Sequence, residues 1–97
     1  MEAGFFYTIL SRVKEIRHIL KDPMGLHARP AGQLAKAVVK YKSDIQLGSA
    51  AKMVNAKRIV AVMALSLKQG QELVMTFNGP DEEEAAAFCG GFLEKNL

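Results

Sequence analysis

The sequence predicts an open two-layer α+β sandwich with elements in the order β-α-β-β-α-β-α. One face of its sheet is covered by helices and the other is left to solvent. Three observations lead there. Short runs alternate apolar and polar residues, as in Glu72 to Asn78. Between them, apolar residues recur at helical spacing. Turn residues such as Asp22-Pro23-Met24-Gly25 and Asn78-Gly79-Pro80 separate the two kinds of segment.

Residues 1–12 join no clear pattern. They read as a flexible extension, an extra strand or a translated upstream segment, so the chain divides into an N-terminal extension, 1–12, and a folded unit, 13–97. The first strand falls between Glu15 and Lys21, where Ile16, His18 and Leu20 share one face. A helix follows over about Ala28 to Tyr41. Ala31, Leu34, Val38 and Tyr41 form its stripe, and Pro30 fits the first turn, where its missing N–H costs nothing. Ser43-Asp44 ends it. Ile45 and Leu47 begin a short strand that turns at Gly48-Ser49-Ala50 and returns through Met53 to Asn55. Asn55 is then expected to cap a second helix over about Ala56 to Leu65, with Ile59, Val62, Met63 and Leu67 inward. Gln69-Gly70 breaks it. Glu72 to Asn78 is a strand with Leu73, Met75 and Phe77 on one face. Asp81 starts the last helix, with Glu82, Glu83 and Glu84 where the helix dipole favours anions and Ala85, Cys89, Phe92 and Leu93 as the buried stripe. Gly90-Gly91 weakens that helix by about 1 kcal/mol per glycine relative to alanine, so its last turns are expected to fray.

Composition narrows the function. The chain has 97 residues, 49% hydrophobic and 24% charged, which is enough for a modest core and argues against disorder. Thirteen Lys and Arg against ten Asp and Glu give a net charge of +3, too small to argue for nucleic acid though compatible with an acidic partner surface. One cysteine excludes an internal disulfide, and one Cys with two distant His does not make a zinc site. No apolar run approaches the roughly 20 residues of a membrane span. The start of the chain has neither a basic leader nor a signal cleavage site, so a reducing, cytoplasmic setting is expected.

The chemistry concentrates at the start of the first helix. Gly25 gives the turn access to unusual backbone angles. His27 falls at the helix N-terminus or its cap, where the first-turn N–H groups, including those of Ala28 and Arg29, lack intrahelical partners and the dipole end is positive. Such a place receives phosphate. Arg29 adds a permanent cation that can fork onto phosphate oxygens. A neutral imidazole is a nucleophile near pH 7. By residue type alone, a lone histidine near a helix start is more often a surface or capping residue; the surrounding string changes that weighting.

Gly25-Leu26-His27-Ala28-Arg29-Pro30-Ala31 resembles the active-site signature of the HPr family, the histidine-containing phosphocarriers of the bacterial phosphoenolpyruvate:sugar phosphotransferase system. The likeness runs from about Arg17 to Leu93. It takes in Ser43-Asp44-Ile45, the turn before Met53-Val54-Asn55, Lys57 to Leu67, Gln69-Gly70 and Gly79-Pro80-Asp81-Glu82. The resemblance implies a four-stranded antiparallel sheet with three helices. It implies that His27 takes a phosphoryl group on Nδ1 from enzyme I, itself charged by phosphoenolpyruvate, and gives it to an enzyme IIA domain during sugar uptake, without a cofactor and without turnover of its own. Arg29 would neutralise the phosphoryl group. The family's docking surface implies Met24, Ile59, Val60 and Met63 as apolar anchors with Lys36, Lys57 and Arg58 around them. Ile59 is as compatible with core as with interface, and exposure of Met63 would favour interface.

Three departures qualify the resemblance. Many relatives carry a regulatory serine, phosphorylated by an HPr kinase, at the start of the second helix; Arg58 stands there, so that modification is not expected. Near the end of the same helix a common glycine is replaced by Ser66. The first dozen residues, with Phe5-Phe6-Tyr7, have no counterpart in a minimal member. The rival reading is a regulatory paralogue whose phosphorylation state at His27 controls binding to a metabolic or transcriptional partner. His18 is expected at the core edge with a hydrogen bond, and Cys89 as inert packing.

Overall fold

Leu73, Met75 and Phe77 alternate with Val74 and Thr76, and that period of two places all three on one face of the same strand, each fully buried. This strand is central. The computed structural model describes residues 14–97; the N-terminal extension expected over 1–12, with Phe5-Phe6-Tyr7, lies outside the described residues. Its elements are β1 (Lys14–Ile19), α1 (Ala28–Val38), β2 (Asp44–Ser49), β3 (Lys52–Asn55), α2 (Ile59–Ala64), β4 (Glu72–Asn78) and α3 (Glu82–Asn96). The sheet order is β1-β4-β2-β3, with every pairing antiparallel. The predicted element order and sandwich are therefore observed.

Register explains which side each strand buries. Ile16 faces Met75, His18 faces Leu73, Ile45 faces Phe77 and Leu47 faces Val54 and Met75. Ile45, Leu47, Leu73, Met75 and Phe77 meet Leu34 and Val38 of α1, Val62 of α2, and Ala85, Cys89 and Leu93 of α3 in one core, with Ile16 and Val54 packed against its edge. On the opposite face Arg17 bridges Glu15 (2.6 Å) and Glu72 (2.9 Å) across β1 and β4. All three side chains remain well exposed, so the pairs order the surface more than they stabilise it.

Several expectations need correcting. The first helix ends at Val38, yet Tyr41 stays buried just beyond it, stacked obliquely on Phe88 with centroids 6.3 Å apart. The second helix starts at Ile59, three residues later than expected. The Asn55 side chain accepts from the Lys57 N–H (2.9 Å) and its carbonyl from the Arg58 N–H (3.1 Å), closing a turn in place of capping a helix. Ala56 N–H donates to Ile45 O, which keeps this turn on the sheet. Only Val62 of the six α2 residues is buried; Leu67 is core but lies beyond the helix, and Ile59 is 38% exposed. The last helix does not fray at its two glycines: it runs to Asn96, and Leu97 N–H still donates to Leu93 O. Phe92 on its stripe is only half-buried. His18 is 8% exposed as expected, but its Nε2 has no hydrogen-bond partner among the described residues. Cys89 is fully buried, and burial pushes its thiol up to about 12, which makes it inert.

Candidate functional site

Three ties fix the β1–α1 loop that carries His27. Lys21 and Asp22 N–H donate to the Leu97 carbonyl at the end of α3 (2.6 and 3.1 Å). Gly25 N–H closes the turn on Asp22 O (2.8 Å). Leu26 N–H donates to Leu67 O (2.9 Å), and the Leu26 side chain enters the core. Gly25 adopts φ +65°, and a Cβ there would collide with Leu67 O, so both the angle and the close approach demand glycine.

The result is a histidine held at a helix end. His27 is the N-cap of α1 in extended conformation, and its side chain makes no cap hydrogen bond. Its carbonyl accepts from Ala31 N–H (3.1 Å), and Pro30 has no N–H to offer. Ala28 and Arg29 are therefore the residues whose backbone donors have no intrahelical acceptor at this end. The imidazole Nε2 lies 3.4 Å from Asp22 Oδ2, and both side chains are 27% exposed. No other group among the described residues hydrogen-bonds the ring, which leaves Nδ1 unengaged.

Around His27 is a shallow hollow of about 270 Å³ lined by Asp22, His27, Arg29, Pro30, Gln33 and Asn96. Arg29 is exposed at its rim, and among the described residues no carboxylate lies within 4.0 Å of its guanidinium. An anion arriving at Nδ1 meets the Arg29 guanidinium, two backbone donors and the positive end of an eleven-residue helix. Such an arrangement suits the spread charge of a phosphoryl group in transfer. Asp22 and Asn96 were not singled out from sequence. Asp22 carried a signal only as a turn residue five positions before His27, and Asn96 carried none.

The docking candidates fall into two kinds. Val60 is 80% exposed, Met24 70% and Ile59 38%. Lys57, Arg58, Ile59, Val60, Ala61 and Ala64 line an open, mostly apolar hollow of about 450 Å³ along α2. A Cβ at Gly32 of α1 would lie 3.9 Å from Ile59 Cδ1, so this hollow adjoins α1. Lys36 is exposed on α1. Met63 is half-buried against the core. Lys57 is also committed: its ammonium donates to Tyr41 O (2.6 Å), tying the α2 entry to the end of α1.

Residues 14–95 match the family model described as "PTS HPr component phosphorylation site". The chain belongs to the HPr family. The HPr phosphocarrier of Mycoplasma genitalium is 38% identical over 85 residues, 87% of this chain and 97% of that protein. A crystal structure of HPr from Thermoanaerobacter tengcongensis superposes with a TM-score of 0.78 at 37% identity, covering 84% of this chain and 91% of that one. The histidine-containing phosphocarrier protein of a mycoplasma gives 0.79 at 35% identity, covering 81% and 90%. Family membership makes the chain an HPr-type phosphocarrier protein of the phosphotransferase system. Among the described residues no helix is long and apolar enough to cross a membrane.

Proposed function

We propose that His27 accepts a phosphoryl group on Nδ1 from enzyme I and passes it to enzyme IIA domains for sugar uptake. One observation carries this reading: an imidazole whose Nδ1 has no partner among the described residues stands at the α1 N-terminus, beside Arg29, which no described carboxylate pairs, and the backbone donors of Ala28 and Arg29. The nitrogen lone pair attacks phosphorus, the bond to the donor breaks, and the donor keeps that electron pair. Arg29 and the backbone N–H groups hold the phosphoryl oxygens through the transfer. The protein acts stoichiometrically, in the cytoplasm, without a cofactor.

Docking uses the exposed side chains of Met24, Ile59 and Val60 as apolar contacts, with Lys36 and Arg58 set toward acidic partners. Met63 supports this surface from below, and Lys57 helps to shape it through its bond to Tyr41 O. With Arg58 as the N-cap of α2, no hydroxyl stands where an HPr kinase would act.

Incubation with enzyme I and phosphoenolpyruvate is expected to place one acid-labile, base-stable phosphate on the protein. His27→Ala abolishes it, and Arg29→Ala slows it by about a hundredfold or more, the scale of one lost charge-stabilising donor. Failure to label under conditions that charge another HPr would overturn the carrier reading.

A further inference from the structure

Asp22 is held where it can act on the catalytic ring. Its Oδ1 accepts from Met24 N–H (2.8 Å), its main-chain carbonyl from Gly25 N–H (2.8 Å), and its own N–H donates to Leu97 O (3.1 Å). One carboxylate oxygen is thus consumed by the turn and the residue has little freedom to move. The second oxygen, Oδ2, faces His27 Nε2 at 3.4 Å. Among the described residues His27 is the sole cationic or ring-nitrogen partner within 4.0 Å of this carboxylate. A carboxylate can only accept, so the ring nitrogen facing it must donate. Of the two neutral tautomers, the contact selects the one with its proton on Nε2 and its lone pair on Nδ1.

We propose that Asp22 is a positioning residue for phosphoryl transfer: it keeps the His27 proton on Nε2 and so presents Nδ1 as the acceptor. The inference rests on the phosphocarrier reading above. In the step itself the Nδ1 lone pair forms the new N–P bond while the donor leaves with the electrons of the old one. The proton stays on Nε2 throughout, and the ring acquires positive charge. The Asp22 carboxylate then stands beside a cation, and the contact tightens as the charge appears.

Two substitutions separate this role from simple turn stabilisation. Asp22→Ser keeps an oxygen for the Met24 N–H but cannot reach the ring. Asp22→Asn keeps the same acceptor, since the Met24 N–H claims its carbonyl oxygen. Its amide N–H groups then replace Oδ2 and favour the tautomer with the proton on Nδ1. Imidazole 15N spectra, recorded over an alkaline pH series, read the tautomer directly. Wild type is expected to show Nε2–H, Asp22→Ser the mixture of free imidazole, and Asp22→Asn a shift toward Nδ1–H. The rate of labelling by enzyme I and phosphoenolpyruvate should fall by about tenfold in Asp22→Asn and by less in Asp22→Ser, with amide spectra showing both variants folded. A wild-type tautomer and wild-type rate in folded Asp22→Asn would overturn the proposal. Failure of wild type itself to label would instead remove the carrier reading, and the tautomer spectra would still decide whether Asp22 governs the ring.

Discussion

Asp81 shows how much one side chain can organise without touching the site. Its carboxylate accepts from Lys42 N–H (2.9 Å), Ser43 N–H (2.9 Å) and Ser43 Oγ (2.5 Å). A residue at the entry to α3 thereby holds the entry to β2, and Gly79 is needed beside it because a Cβ there would sit 2.5 Å from Ser43 Cα. The Ser43 hydroxyl, followed by the backbone donors, holds the Asp81 carboxyl below its ordinary value. A depressed folded-state pKa means that the stabilisation is fully present above the unfolded value of about 4 and is lost as pH falls through the folded one. Thermal melts across that acidic range should show wild type losing stability more steeply than Asp81→Ala, which starts several degrees lower at neutral pH. Equal slopes would mean the three hydrogen bonds do not distinguish the charged from the neutral carboxyl. In the sequence Asp81 was legible only as a helix start, because its partners lie 38 and 39 positions away.

At the scale of elements, α2 is the informative case. Its six residues bury only Val62, so it presents apolar surface outward where a core helix would turn it inward. The apolar spacing of Ile59, Val62, Met63 and Leu67 is the same for either outcome, and spacing alone could not decide. What decided was the Asn55 turn, which delays the helix, and the return of Leu67 to the core beyond its end. The exit is strained. Ser66 adopts φ 52°, a left-handed conformation that glycine takes without penalty. The Gly-to-Ser departure noted in the sequence thus has a backbone consequence. Ser66→Gly is expected to stabilise the fold by about 1 kcal/mol, read as a higher denaturant midpoint with unchanged slope. An unchanged midpoint would mean that the Ser66 side chain repays the strain. In α3, by contrast, Gly90 and Gly91 leave open space where side chains would sit, yet the helix persists. Burial of Ala85, Ala86, Cys89 and Leu93 in a helix packed on β1 and β4 outweighs the propensity loss.

The whole molecule depends on a single core under the sheet. Phe77, Met75 and Leu73 of the central strand β4 are 0% exposed and meet all three helices' buried residues there. Phe77→Ala should cost about 3–5 kcal/mol, a large share of the roughly 5–15 kcal/mol available to a domain of ordinary stability. Equilibrium unfolding would measure it; a loss under 1 kcal/mol would show that α1 and α3 collapse onto the space. The same core reaches the site, because Leu26, one residue before His27, is among its members. Core damage at β4 is therefore expected to slow labelling at His27 as well as to lower stability.

Strand and helix order, the buried faces of β4 and α1, and the placing of His27 and Arg29 at one helix end all follow from the sequence, since periodicity, turn chemistry and a local motif are short-range properties. The beginning of α2, the missing hydrogen bond of His18 and the survival of α3 past two glycines were settled by tertiary contacts. So was the surrounding of His27. Its motif singled out His27 and Arg29, but only the folded turn brings Oδ2 of Asp22 to Nε2 and the end of α3 to the loop that carries them. Local pattern fixes which face a residue occupies; which residue stands across from it depends on closing the chain over tens of positions.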